Sequence, residues 1–222
     1  AAAVCRRQLA RLASKRALAR FRHLTAGMVG PSWSVYALDV AGQRLIDPDR
    51  TRWWPTPNPG NQFIDHTLAI SEVYVRLRTD EHQRGFELVT FNGEPTCWRS
   101  FHGPGGARPT LKPDAFVITE ADGYEDHVFV EVDLGTETSA RIVTKAKVYL
   151  SYYRSGREQH RSGVFPLVLW LVPDAARLDL LTTAISRLPA EHWRLFQVRL
   201  LDEAVDAITT TDDNVVTVGG ER

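Results

Sequence analysis

The segment from Lys112 to Tyr149 restricts the fold more than any other part of the chain, because its residue pattern changes from strand-like to helical within a short span. Phe116–Thr119 and Val128–Asp133 are rich in β-branched and aromatic residues, and Asp122-Gly123 between them is a strong signal for a two-residue hairpin turn. A helix carrying Lys145 and Tyr149 follows. On the second strand Phe129, Glu131 and Asp133 share one face, and Val128, Val130 and Val132 share the other. The valine face can join a core; the acidic face requires a positive group opposite it. Asp114, opening the preceding strand, can aim another carboxylate at the same place. Like charges this close raise each other's pKa or demand a cation, and carboxylate oxygens are the ligands that Mg2+ prefers. An ordinary hairpin and amphipathic helix, with the acids on a solvated face, is the competing account.

The ordered set Pro113-Asp114 … Glu131-Val132-Asp133 resembles the PD-(D/E)XK nuclease superfamily. There an Asp opens one strand and a Glu follows on the next, just before an X-Lys pair. Asp133 stands at that lysine position here. In some members the lysine sits on the following helix, where this chain has Lys145, and Lys145 with Tyr149 is similar to the Gln-x-x-x-Tyr signature of recombination-type nucleases. More narrowly, the series His66 … Glu72, Lys112-Pro113-Asp114-Ala115, Glu131-Val132-Asp133, Lys145 … Tyr149 resembles the replication-relaxation family of actinobacterial plasmid and mobile-element proteins, over most of the chain.

The resemblance implies an α/β fold: a restriction-endonuclease-like core whose mixed central sheet is flanked by helices, preceded by a partial winged-helix module. It implies a metal-dependent DNA endonuclease or nickase of plasmid or mobile-element replication and relaxation. Asp114, Glu131 and the backbone carbonyl of Val132 would hold Mg2+ or Mn2+, with Glu72 contributing through water. Lys145 would orient the attacking water or neutralise charge, and Tyr149 would position the lysine or a phosphate. Asp133 would add a ligand or pair with Lys145. The partner would be double-stranded plasmid DNA, and a homodimer is left open.

Charge supports a polyanionic partner independently. The chain is neutral overall, yet residues 1–24 hold seven of its 27 basic residues and none of its 27 acids. Val4–Ser14 reads as a helix with Cys5, Leu9 and Leu12 as its apolar stripe, followed by a strand (Leu18–Leu24), a Gly/Pro loop (Thr25–Ser32) and a strand (Ser34–Leu38). A basic helix before a hairpin looks like the second half of a winged helix. Arg6, Arg7, Arg11, Lys15, Arg16, Arg20 and Arg22 are the candidate DNA contacts; a solvated basic helix is the plain alternative. The expected division is 1–46 for this module, 47–61 for a proline-rich linker with Trp53 and Trp54, 62–208 for the nuclease-like domain and 209–222 for a disordered tail.

Ile64–Arg78 reads as a helix apolar nearly all round, hence buried. Glu72 within it then needs a partner, either the site or a basic side chain. His66 at its start reads as a capping or core residue. Two strands, Phe86–Phe91 and Thr96–Phe101, are expected to form an edge hairpin at Asn92-Gly93. The glycines of 103–106 precede a strand rather than a helix, which leaves a flexible loop near the site. Ser155–Gly163 reads as a basic loop. Phe165–Val172, Ala175–Leu188 and Phe196–Leu201 read as a parallel strand–helix–strand crossover, closed by helical turns at Glu203–Ile208.

No apolar run approaches membrane-spanning length. Cys5 and Cys97 have neither metal spacing nor a disulfide framework, which fits a cytoplasmic protein, and a start without Met is expected of a trimmed chain or a fragment. Two other functions compete with hydrolysis. One is a DNA-binding accessory protein on an inactive nuclease scaffold. The other is a tyrosine relaxase using Tyr149, Tyr152 or Tyr153, which the lack of a His-x-His motif disfavours.

Overall fold

The computed structural model describes residues 2–23, 33–49, 52 and 59–210, and the chain divides into two compact units, Ala1–Asp65 and His66–Arg222. The expected loop at 25–32, Trp53, Trp54 and the tail beyond 210 lie outside the described residues.

In the first unit α1 (Ala2–Ser14) precedes an antiparallel hairpin of β1 (Leu18–His23) and β2 (Trp33–Leu38), which pairs Leu18 with Leu38 and Phe21 with Val35. A further helix, α2 (Val40–Ile46), has no counterpart in the sequence reading. Asp39 starts it by accepting from its own Val40 amide at 2.7 Å while binding Arg16 Nε at 3.0 Å. Gly42 allows the helix to pass Ala17, whose carbonyl oxygen lies 2.1 Å from where a Cβ would stand. A glycine inside a seven-residue helix hides it from periodicity arguments. Asp39 and Gly42 are the only buried residues among those described between 2 and 60.

The second unit is a five-stranded mixed sheet covered by helices on both faces. It contains most of α3 (Asn61–Arg84), then β3 (Glu87–Gly93), the two-residue strands β4 (Arg99–Ser100) and β5 (Thr110–Leu111), β6 (Ala115–Ala121) and β7 (Tyr124–Val132). After these come α4 (Ser139–Arg154), α5 (Arg157–Ser162), β8 (Leu167–Val172), α6 (Ala175–Ile185), β9 (Phe196–Leu200) and α7 (Ala204–Thr209). Strand order is β3-β6-β7-β8-β9; the first three are antiparallel, while β7, β8 and β9 run parallel. The β6–β7 turn is tight because Asp122 (φ 52°) and Gly123 (φ 82°) both adopt the left-handed conformation, the backbone of a type I′ hairpin.

Alternation along β7 divides the core. Val128, Val130 and Val132 join Val73 and Leu77 of α3 and Val205 and Ile208 of α7. Phe129 faces the other way, onto Ile142, Ala146 and Tyr149 of α4 and Leu181 and Ile185 of α6. The acidic face of the second strand therefore has a core too, and Glu131 points into the layer beneath α4 at 1% exposure.

Three expectations are corrected. The strand after Asn92-Gly93 does not fold back on β3: Cys97 N bonds Gly93 O at 3.2 Å to close a turn, and β4 pairs with β5 instead. Residues 155–163 contain helix α5, held between left-handed glycines Gly156 and Gly163 and anchored by buried Glu158. The α3 helix is one-sided rather than apolar all round, because Val73 and Leu77 are buried while Leu68 and Val75 are 42% and 53% exposed.

Candidate functional site

The register pairing Ala115 with Val130 sets Asp114 opposite Glu131, one step beyond the last of the β6–β7 pairs. Asp114 is locked there by its own backbone: its amide donates to Val130 O at 3.1 Å, and its Oδ2 accepts from Val132 N at 2.7 Å. The preceding turn is fixed as well, since buried Cys97 Sγ donates to Pro113 O at 3.0 Å. Two carboxylates joined by one hairpin thus share the open end of the central strand pair.

Each has a cation. Lys145 Nζ lies 2.5 Å from Glu131 Oε2, and His66 Nε2 lies 3.2 Å from Asp114 Oδ1. Lys145 and Tyr149 are one helical turn apart on α4, so both reach the same glutamate: the Tyr149 hydroxyl donates to Glu131 Oε1 at 2.5 Å. The Lys145–Glu131 contact is close but poorly aligned, and Oε2 is a buried oxygen without a directed donor.

Burial pushes the Glu131 carboxyl up, to about 8; Lys145 opposes the rise and Asp114 adds to it. Burial would lower Lys145, but the Glu131 and Asp114 carboxylates outweigh it and hold the ammonium above the usual lysine range. The hydrogen bond to Asp114 raises His66. Burial, and then Glu131, raise Tyr149 well above the tyrosine range, so it serves as a neutral donor. All four shifts run upward: burial leads at Glu131 and Tyr149, the two carboxylates outweigh burial at Lys145, and Asp114 leads at His66.

Of the other residues singled out by sequence, Glu72 lies elsewhere. It pairs with Arg76 Nε at 2.9 Å with its side chain 52% exposed, because it sits on the solvent side of α3, away from the Val73–Leu77 stripe. Asp133 does not pair with Lys145. Its Oδ2 meets Arg177 at 2.5 Å and its Oδ1 takes the Gly135 amide at 2.8 Å, and Arg177 also donates to Glu137 O, so Asp133 ties the end of β7 to the start of α6. Arg141, on the exposed side of α4, reaches Glu137 at 4.0 Å. The seven basic residues of the head are all exposed; Arg16 is bound to Asp39, and Arg20 Nε donates to Ser34 Oγ at 2.9 Å.

Sequence reasoning missed His66 as a member of this cluster, although the series beginning His66 … Asp114 contained the signal. It missed Arg177 entirely, since no local pattern links residue 177 to residue 133.

Among the described residues no group of three or more His, Cys, Asp and Glu side chains is arranged to hold a metal ion. The donors that do converge, two carboxylates with one undirected oxygen, are of the kind Mg2+ or Mn2+ accepts, because such ions keep most of their waters. Lys145 also borders a cleft lined by Glu94, Lys112, Glu137, Ala140, Arg141 and Thr144, which gives the pocket a way out to solvent.

The profile of one family, replication-relaxation, matches residues 1–168, and the chain belongs to that family. No curated protein and no solved structure matches it. Among the described residues, no helix is long and apolar enough to cross a membrane.

Proposed function

We propose that this member of the replication-relaxation family hydrolyses phosphodiester bonds of DNA during plasmid or mobile-element replication and relaxation, using the pocket of Asp114, Glu131, Lys145 and Tyr149. The observation that carries this reading is the convergence of Asp114 and Glu131 with Lys145 Nζ 2.5 Å from a glutamate oxygen that lacks a directed donor. Burying two acids together is costly, and a solvent-linked cleft beside them is where a cation and a substrate phosphate can enter.

Asp114 and Glu131, with the Val132 carbonyl, would hold Mg2+ or Mn2+. Such an ion, when bound, polarises a phosphoryl oxygen and lowers the pKa of its water. The chain's own groups supply the rest. Tyr149 fixes the Glu131 carboxylate in one rotamer. Lys145, part exposed, can turn from Glu131 towards a phosphate and neutralise charge there. His66 balances Asp114.

In this reading 62–208 is a PD-(D/E)XK-like domain and 1–46 a partial winged helix. The antiparallel β6–β7 pair bearing both acids, the parallel β8 and the lysine on α4 support the first. The order helix, then antiparallel hairpin, with seven exposed basic residues, supports the second.

A second reading, a DNA-binding accessory protein without hydrolysis, draws on Asp133: the acid at the usual lysine position is occupied by Arg177, and both site carboxylates already have basic partners. Nicking of supercoiled plasmid in Mg2+ or Mn2+ separates the two. Wild type is expected to nick, while Asp114→Asn and Lys145→Ala are folded but inactive; Lys145→Ala also loses stability, because it leaves Glu131 buried without its cation. Equal nicking by all three proteins refutes the assignment. DNA binding without nicking by wild type selects the second reading.

A further inference from the structure

We propose that the second unit has a nucleic-acid backbone track of its own, on the outer side of α4 and α5, built by Lys147, Arg154, Arg157, Arg161 and Arg187. The track deepens the reading of this unit as a DNA-processing domain and rests on it for the choice of polyanion, but its geometry stands separately.

Charge pairing separates these five, together with Arg108, Lys112, Arg194 and Arg199, from the other bases of the unit, and the five are the ones that line the two clefts beside α4 and α5. Arg76, Arg78, Arg84, Arg99, Arg141 and Arg177 each lie within 4.0 Å of a carboxylate. Among the described residues no carboxylate lies within ion-pair distance of Lys147, Arg154, Arg157, Arg161 or Arg187, although all five are exposed and the unit as a whole has more acids than bases. Two are held by histidines instead: Arg154 meets His192 Nε2 and Arg157 meets His102 Nδ1, each at 3.1 Å. Such contacts orient a guanidinium without neutralising it, and leave other N–H donors for an anion.

Shape and position select the ligand. Lys147, Arg154 and Arg187 line one cleft of about 660 Å3, and Arg157, His160 and Arg161 line another of about 550 Å3. Arg157, by binding His102 of the first cleft while lining the second, joins them. A flat anionic bilayer does not reach into concave clefts; a flexible polyphosphate chain does. Trp98, 36% exposed with Lys112 Nζ 4.3 Å from its ring centre, stands at the second cleft as a surface on which a base can stack. The track also leads to the acids. Ala140, Thr144, Lys147, Ser151 and Arg154 fall on one face of α4, and the Ala140–Lys145 end of that helix borders the cleft beside Glu131. Lys145 and Arg154 are nine residues apart, roughly 13 Å along a helix, so one strand could lie over both.

The test is binding of labelled single-stranded and duplex oligonucleotides to the full chain in EDTA, where cleavage plays no part, across a range of salt. Each lost phosphate contact reduces the slope of log K against log salt by about 0.7 to 0.9. The variant Lys147→Ala/Arg154→Ala/Arg187→Ala is expected to lose roughly two units of slope and at least about tenfold in affinity. Arg157→Ala/Arg161→Ala is expected to lose about one unit or more. Arg76→Ala/Arg78→Ala, which removes paired arginines, should bind as wild type, and the track losses should add to those of Arg6→Ala/Arg7→Ala/Arg11→Ala in the head. Track variants that bind with wild-type slope and affinity overturn the proposal. So does a loss seen only with vesicles of anionic phospholipid. A wild type that binds through the track but never nicks in Mg2+ defeats hydrolysis and leaves the track standing; nicking with track-independent binding does the reverse.

Discussion

Glu131 and Glu158 are each 1% exposed, and both are served by α4: Tyr149 donates to the first and Tyr152, three residues later, to the second. Each also faces a cation, Lys145 or Arg99. The resemblance ends there. Arg99 donates from Nε to Glu158 at 3.2 Å and from Nη1 to Cys97 O at 2.8 Å, and its guanidinium lies 4.9 Å from the Phe116 ring centre and 5.8 Å from that of Phe129. That is a staple, fixing β4 to α5 with one acid and one well-bonded base. Glu131 instead shares its end of the sheet with Asp114, keeps an oxygen without a directed donor, and is met by an amine that is 29% exposed beside a cleft. A buried glutamate with a tyrosine and a cation is therefore not a site in itself. A second acid, an incompletely bonded oxygen and a path to solvent distinguish the proposed site from the pair that holds the fold.

This contrast can be tested hardest at the staple. Arg99→Ala leaves Glu158 buried and uncompensated, and should lower the free energy of unfolding by about 3–5 kcal/mol in denaturant titrations, while the folded protein still nicks plasmid. The same loss with no effect on folding would erase the distinction. Glu131→Gln should invert the outcome: nicking falls by at least about 100-fold, worth roughly 2.7 kcal/mol in the barrier, while stability read below pH 4.5, where the carboxyl is protonated in both folded and unfolded states, changes by less than about 1 kcal/mol.

The tyrosines offer a matched pair of smaller changes. Tyr149→Phe and Tyr152→Phe each remove one hydrogen bond to a buried carboxylate and should each cost about 1.5–3 kcal/mol in thermal or chemical unfolding. Only Tyr149→Phe should reduce nicking.

Proton linkage sharpens the comparison further. Glu131 is held near 8 in the folded protein against an ordinary 4.5, so between those values the folded state keeps a proton that the unfolded state releases. Stability in EDTA should then fall as pH rises through this window, by no more than about 1.4 kcal/mol per unit. His66, raised by Asp114, adds a fall of the same sign above 6.5. In Glu131→Gln the larger part of the slope should vanish. A melting profile equally steep in wild type and variant would contradict the assignment of that proton. The smallest effect is expected at Glu72: Glu72→Ala should change stability by less than about 0.5 kcal/mol and leave nicking intact, because its partner is Arg76 on an exposed helix face.

Much of the site was legible because its spacing is local. Asp122-Gly123 fixes the hairpin, the hairpin fixes which residue opposes Asp114, and a four-residue helical step brings Tyr149 to the glutamate that Lys145 reaches. Glu72 was misplaced for an identifiable reason: a run of apolar residues suggested a helix buried on every side, and composition cannot say that Val73 and Leu77 meet the sheet while Leu68 and Val75 face solvent. α2 and α5 were hidden by glycines, within the first and at both ends of the second.

The chain's order of residues determined, by itself, the strand–turn–strand–helix unit, the alternation that separates valines from acids, and the concentration of positive charge in the first 24 residues. These depend on periods of two and 3.6 and on turn chemistry, which act between near neighbours. Only the tertiary structure decided which basic group each buried acid would meet: His66 for Asp114, Arg177 for Asp133 and Arg99 for Glu158. These partners are 44 to 59 residues apart in sequence, and a charge carries no label for its partner; burial, strand register and the packing of α3, α4 and α6 against the sheet select it.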